Sequence, residues 1–134
     1  MIPELGFTIE ETYAAPPERV YAHFTDPELV AGWFCPNPDL PTTAQLDVQP
    51  GGGWKVRMGD WCVGGSYIEV ERPSRLVFTF DWEHDDDPAT TVEVAITPEG
   101  DGTRLVLADE ETGPDSGHEE GWMLTLARLD RLLS

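Results

Sequence analysis

Residues 118–133 read HEEGWMLTLARLDRLL, and in them Trp122, Leu126, Leu129 and Leu133 recur at spacings of 4, 3 and 4. That is the repeat of one helical face, and Met123 and Leu132 are expected to widen it. The stretch predicts an amphipathic helix of about four turns. Gly121 would weaken a helix interior by up to about 1 kcal/mol relative to Ala, so it belongs near the helix start or at a close approach to a strand. An apolar stripe of this kind needs a surface to cover, and the residues before it supply one.

Upstream of the helix the chain is written mostly in strand periodicity. Residues 90–97 and 103–109 are two apolar-polar runs joined by Pro98-Glu99-Gly100-Asp101-Gly102, a strong hairpin signal. In residues 76–82, Leu76, Phe78, Phe80 and Trp82 alternate with Val77, Thr79 and Asp81. Residues 66–71 read as a strand with Tyr67 and Glu69 on one face and Ile68 and Val70 on the other. Trp54, Val56 and Met58 alternate with Lys55 and Arg57 after the turn Pro50-Gly51-Gly52-Gly53. Residues 44–48 add a short strand, and Phe7 to Tyr13 form the first.

Two short helices interrupt this pattern early. Pro16 and Pro17 end the first strand, and one of them fits the first turn of a helix carrying Val20, Tyr21 and Phe24. Asp26 then caps a second helix with Pro27 at its first position, and Leu29, Val30, Trp33 and Phe34 are expected on one face of it. Residues 35–43 hold three prolines and no period, so they form a loop. The order predicts an α+β fold: a curved antiparallel sheet of six or seven strands around the long C-terminal helix, with two short helices after strand one. Residues 1–134 are read as a single domain, near the commonest domain size.

Composition narrows the function classes. The 26 Asp and Glu against 8 Lys and Arg give a formal net charge of −18, and Lys55 is the sole lysine. Such a surface repels nucleic acid and anionic membranes, so neither is an expected partner. Abundant carboxylate with almost no lysine is the pattern of adaptation to high salt, which screens the self-repulsion. Cys35 and Cys62 form no CxxC pair and read as free thiols, and no run approaches a signal peptide or a membrane span. The cytoplasm is the default location, and the chain is expected as a monomer or homodimer.

No catalytic motif is present in the sequence. The glycines match no phosphate-binding register, and no serine sits in a nucleophile elbow. His23, His84 and His118 have no metal-ligand spacing, and Asp85-Asp86-Asp87 lacks the alternation of a calcium loop. No metal and no cofactor is expected.

A resemblance adds to this reading. Ala15-Pro16-Pro17-Glu18-Arg19-Val20-Tyr21, Phe24-Thr25-Asp26-Pro27-Glu28-Leu29 and Gly32-Trp33-Phe34 resemble the opening of proteins related to the Hsp90 ATPase activator, in the START-like or Bet v 1-like superfamily. Pro50-Gly51-Gly52-Gly53-Trp54, Gly64-Gly65-Ser66-Tyr67-Ile68-Glu69-Val70, Pro73 to Phe80, Thr103-Arg104-Leu105 and Gly121-Trp122 continue the match in order. The resemblance spans residues 8 to 132. It implies a helix-grip fold with an internal pocket, and relatives that bind lipids, polyketides, flavonoids or other hydrophobic molecules.

The expected function is therefore binding of a hydrophobic or aromatic small molecule in a cavity between sheet and helix. Candidate pocket residues are Trp33, Trp54, Tyr67, Glu69, Phe78, Phe80, Trp82, Trp122 and Leu126. Tyr67, Glu69, Arg57 and His118 are the candidate polar contacts. A cyclase- or hydrolase-like enzyme acting on such a ligand and a protein-interaction or chaperone-accessory module are the alternatives. Every ring that lines a pocket is equally suited to filling it.

Overall fold

The computed structural model of the chain describes residues 7–35, 39–82, 90–109 and 118–133, without the side chains of residues 82 and 118–120. Seven strands form one antiparallel sheet: β1 (Phe7–Tyr13), β2 (Thr42–Leu46), β3 (Gly53–Met58), β4 (Trp61–Glu71), β5 (Arg75–Trp82), β6 (Thr90–Glu99) and β7 (Gly102–Asp109). Their spatial order is β1-β7-β6-β5-β4-β3-β2, so the first and second strands hold opposite edges. Between those two strands in sequence lie α1 (Pro17–Thr25) and α2 (Pro27–Ala31), and α3 (His118–Leu133) closes the chain. The architecture is the expected helix-grip arrangement.

The helix starts follow the residues that predict them. Pro17 opens α1 where its missing N–H removes no hydrogen bond. Asp26 caps α2, its Oδ1 accepting from the Glu28 N–H at 3.0 Å. The second helix is shorter than its apolar residues suggest. It ends at Ala31, so Trp33 and Phe34 lie in the turn after it rather than on its face. Along α3, Trp122, Leu126, Leu129 and Leu133 are buried, but Met123 is 53 % and Leu132 45 % exposed. The buried stripe is thus narrower than expected. Gly121 meets no neighbour across the helix, which leaves its position near the helix start as the reason it is tolerated.

The largest departure is β4. It begins at Trp61 rather than at Ser66, and its pairing with β5 shifts between Tyr67 and Glu69. The extra residue, Ile68, reverses the alternation beyond it. Tyr67 is buried, Ile68 and Glu69 are exposed, and Val70 packs against the core. Glu69 therefore stands on the outer face, where Arg75 pairs with it at 2.6 Å and with Glu93 of β6. β2 also begins two residues earlier than expected.

Candidate functional site

The interior between sheet and helix carries a cluster of large rings. Each indole that reaches it is anchored by its own N–H. Trp33 donates to the His23 carbonyl at 2.8 Å, Trp54 to the Thr79 carbonyl at 3.0 Å, and Trp122 to Asp109 Oδ2 at 3.3 Å. Trp54 can reach β5 because the residue opposite it on β4 is Gly65. A Cβ there would lie 2.1 Å from the Thr79 carbonyl oxygen, so no other residue fits this crossing.

A small cavity of about 30 Å³ remains among these rings. The sheet contributes Leu46, Trp54, Val56, Tyr67, Leu76 and Phe78 to its wall. The helical side contributes Phe24, Val30, Trp33, Phe34 and Trp122. All of these are buried except Phe34 and Leu46, which are half-buried and mark the side nearest solvent. The volume is about the share of one water in the liquid, an order of magnitude below the ~300 Å³ of a typical ligand pocket.

Among the described lining side chains, Tyr67 carries the polar group with no hydrogen bond to a described residue. It is only 4 % exposed. Its hydroxyl makes no hydrogen bond to any described residue, whereas the hydroxyl of buried Tyr13 donates to the Leu126 carbonyl. Burial holds the Tyr67 phenol well above its ordinary value, and the nearby Tyr21 and Asp47 push the same way. The group is a neutral donor throughout the physiological range.

Of the residues expected to form a pocket, Trp33, Trp54, Tyr67, Phe78 and Trp122 are brought together on the cavity wall. Phe80 and Leu126 are buried but do not line it. Phe80 stacks behind Phe34 at 6.5 Å, and Leu126 belongs to the aliphatic core. Glu69 does not contribute, because the β4 bulge turns it outward. Arg57 is also exposed on the outer face. The side chains of Trp82 and His118 lie outside the described residues, as do His84 and Asp85-Asp86-Asp87. Among the described residues no group of His, Cys, Asp and Glu is placed to hold a metal. No described helix is long and apolar enough to cross a membrane.

Sequence reading missed the residues that hold the open side of the site. The turn 32–35 offers backbone carbonyls that no helix satisfies. Thr125 Oγ1 donates to the Phe34 carbonyl at 2.8 Å, and Arg128 donates to the carbonyls of Gly32, at 3.0 Å, and Cys35. Thr125 and Arg128 are three apart, on one face of α3 beside its apolar stripe. That spacing was readable, but their partners are backbone atoms, which a sequence does not advertise.

Solved structures share this architecture. Protein CV1439 from Chromobacterium violaceum is 25 % identical, with 96 % of each chain covered and a TM-score of 0.83. CalU16 from Micromonospora echinospora is 27 % identical over 96 % of this chain and 76 % of its own, with a TM-score of 0.77. Protein Ms6760 from Mycobacterium smegmatis, at 24 % identity, shares the fold with a TM-score of 0.86 over 97 % of this chain and 91 % of its own. No protein in the curated comparison matches. The family model described as Activator of Hsp90 ATPase homolog 1-like protein matches residues 14–134. Most of the sheet, all three helices and the ring cluster fall within that match, and the chain belongs to this family.

Proposed function

We propose that the chain is a binding module for a small hydrophobic molecule, aromatic in character, held between the sheet and α3. The observation that carries this reading is the wall itself. It is apolar and ring-rich, and it includes Tyr67, whose hydroxyl makes no hydrogen bond to any described residue. An acceptor on a ligand would give that hydroxyl a hydrogen bond worth about 0.5–1.5 kcal/mol net. The three Trp N–H groups are already bonded within the protein, so their faces are left for apolar contact.

Acid–base catalysis on such a ligand finds less support. Among the described residues the cavity wall contains no carboxylate, histidine or thiol, and Glu69 is on the other side of the sheet. The test is native mass spectrometry after gentle purification, followed by a thermal-shift panel of hydrophobic compounds in molar salt. Salt belongs in the assay because a net charge of −18 repels itself in dilute buffer. The expected result is a retained molecule or a raised melting temperature with single-ring compounds. If no compound raises it, and substitution of Tyr67 or Trp122 alters stability alone, the binding reading is wrong.

A further inference from the structure

A cavity of about 30 Å³ cannot admit a ring, since apolar cavities that bind benzene in other cores measure about 150 Å³. A side chain must therefore leave before a ligand enters. Most of the wall is fixed. Trp33, Trp54 and Trp122 are anchored through their N–H groups, and Val56, Leu76 and Phe78 are buried on interior strands. Phe34 differs from all of these. It is half-buried, it lies in the turn beyond α2, and its ring has no polar anchor.

The Phe34 ring sits where a bound ring would be best held. It stacks on Phe80 at 6.5 Å and 27°, and meets Trp54 at 6.0 Å and Trp122 at 5.7 Å edge-on. Trp33 completes the cage at 5.7 Å. Offset-stacked and edge-on contacts at such distances are the favoured aromatic geometries. The backbone beneath the ring is pinned to α3 by Thr125 and Arg128, so the ring can leave by rotation about χ1 while the turn stays in place.

We infer that Phe34 is a displaceable plug, and that the ligand it stands in for is an uncharged single-ring molecule with one carbonyl- or ether-type oxygen for the Tyr67 hydroxyl. This rests on the binding reading above and adds to it the size, shape and polarity of the ligand. The four-ring cage sets the flat single ring. The described residues of the wall carry no charged group, so a charged ligand would be buried against them unpaired. The Tyr67 hydroxyl, which bonds no described residue, sets the acceptor. The state with Phe34 inside is the dominant one without ligand, so it lowers the apparent affinity by the fraction of molecules with the ring out.

The test uses acetophenone and ethylbenzene, which share a ring and differ in the carbonyl, against the full chain in molar salt. Phe34→Ala is expected to bind both roughly 10- to 100-fold more tightly than the wild type, the factor corresponding to moving one phenyl ring into water. Tyr67→Phe, in the Phe34→Ala background, is expected to weaken acetophenone roughly 5- to 10-fold and leave ethylbenzene unchanged. Because Phe34→Ala risks misfolding, 4-fluorophenylalanine placed at position 34 of the otherwise unaltered chain gives an independent reading. Its ¹⁹F resonance is expected to move from a ring-shielded to a solvent-like position as acetophenone saturates the site.

Binding of acetophenone by the wild type with no gain in Phe34→Ala, or with an unmoved ¹⁹F signal, overturns the plug and leaves the binding site standing. Equal losses of both probes in the Tyr67→Phe variant overturn the acceptor requirement. Failure of both proteins to bind any compound of the panel overturns the site and the plug together.

Discussion

The two halves of the sheet are packed in different materials. At the β1-β7-β6 end the core is aliphatic. Ile96, Leu105 and Leu107 from the sheet and Leu126, Leu129 and Leu133 from α3 are each at most 1 % exposed. At the β5-β4-β3-β2 end the core is built mainly from rings, and the cavity lies there. Protein interiors are close-packed in general, and the small cavity among the rings is a local exception to that density. The same helix serves both ends. Among its described side chains, buried Trp122 belongs to the ring cluster, and buried Leu126, Leu129 and Leu133 belong to the aliphatic core. One end fixes the helix on the sheet, and the other is the end where the proposed ligand would exchange with Phe34.

Truncation is the strongest way to break this contrast. Leu129→Ala is expected to cost about 2–5 kcal/mol, as filled aliphatic sites do when emptied. Phe34→Ala is expected to cost only about 1–2 kcal/mol, because its ring is half-buried already. Chemical denaturation of the two variants checks the ranking, and an equal or inverted cost would remove the distinction between the two ends.

The pin between α3 and the turn is the next test. Arg128→Ala removes donors to the carbonyls of Gly32 and Cys35, and is expected to cost about 1–3 kcal/mol. Amide exchange should rise in residues 30–35 and stay slow in β6 and β7. A uniform rise across the sheet would show that the turn is not an independently held element.

The two buried tyrosines give the smallest and sharpest comparison. Tyr13→Phe removes a hydrogen bond to the Leu126 carbonyl and is expected to cost about 0.5–1 kcal/mol at neutral pH. Tyr67→Phe removes a hydroxyl that bonds no described residue, and is expected to be neutral or slightly stabilising. In alkali the two tyrosines act alike. Burial raises both phenols above their ordinary value near 10. Above that pH the unfolded chain releases the protons and the folded chain keeps them, so stability falls as pH rises. Either Phe variant should flatten the alkaline limb of an unfolding curve measured against pH, and an unchanged limb in both would contradict the burial of the two hydroxyls.

Much of this is legible in the sequence. The 4-3-4 spacing of Trp122, Leu126, Leu129 and Leu133 carries the helix and its buried face. Pro17, Asp26 and Pro27 mark the helix starts because capping is local chemistry. The site was legible in part. Five of the expected residues line the cavity, since large rings on strand-inward positions are easily recognised.

What escaped depends on contacts between distant segments. The bulge at Ile68 turns Glu69 outward, and nothing local in Tyr67-Ile68-Glu69 announces an extra residue. Gly64-Gly65 stands just before the strand expected at 66–71, and its place inside β4 shows only when Trp54 is seen crossing Gly65 to reach Thr79. Phe34 reads as one more apolar helix residue until α2 ends early and its carbonyl is taken by Thr125.

The central claim is that the ring-built end receives the ligand and the aliphatic end does not. The most direct measurement is a titration of the wild-type chain with acetophenone, followed by NMR of the indole N–H and the methyl groups. The account predicts shifts at the Trp54 and Trp122 indoles and at the Leu46 and Val56 methyls, with Leu105, Leu107 and Leu129 unmoved. Shifts concentrated in those three leucines, or no shift at any indole in a chain that binds the compound, would contradict it.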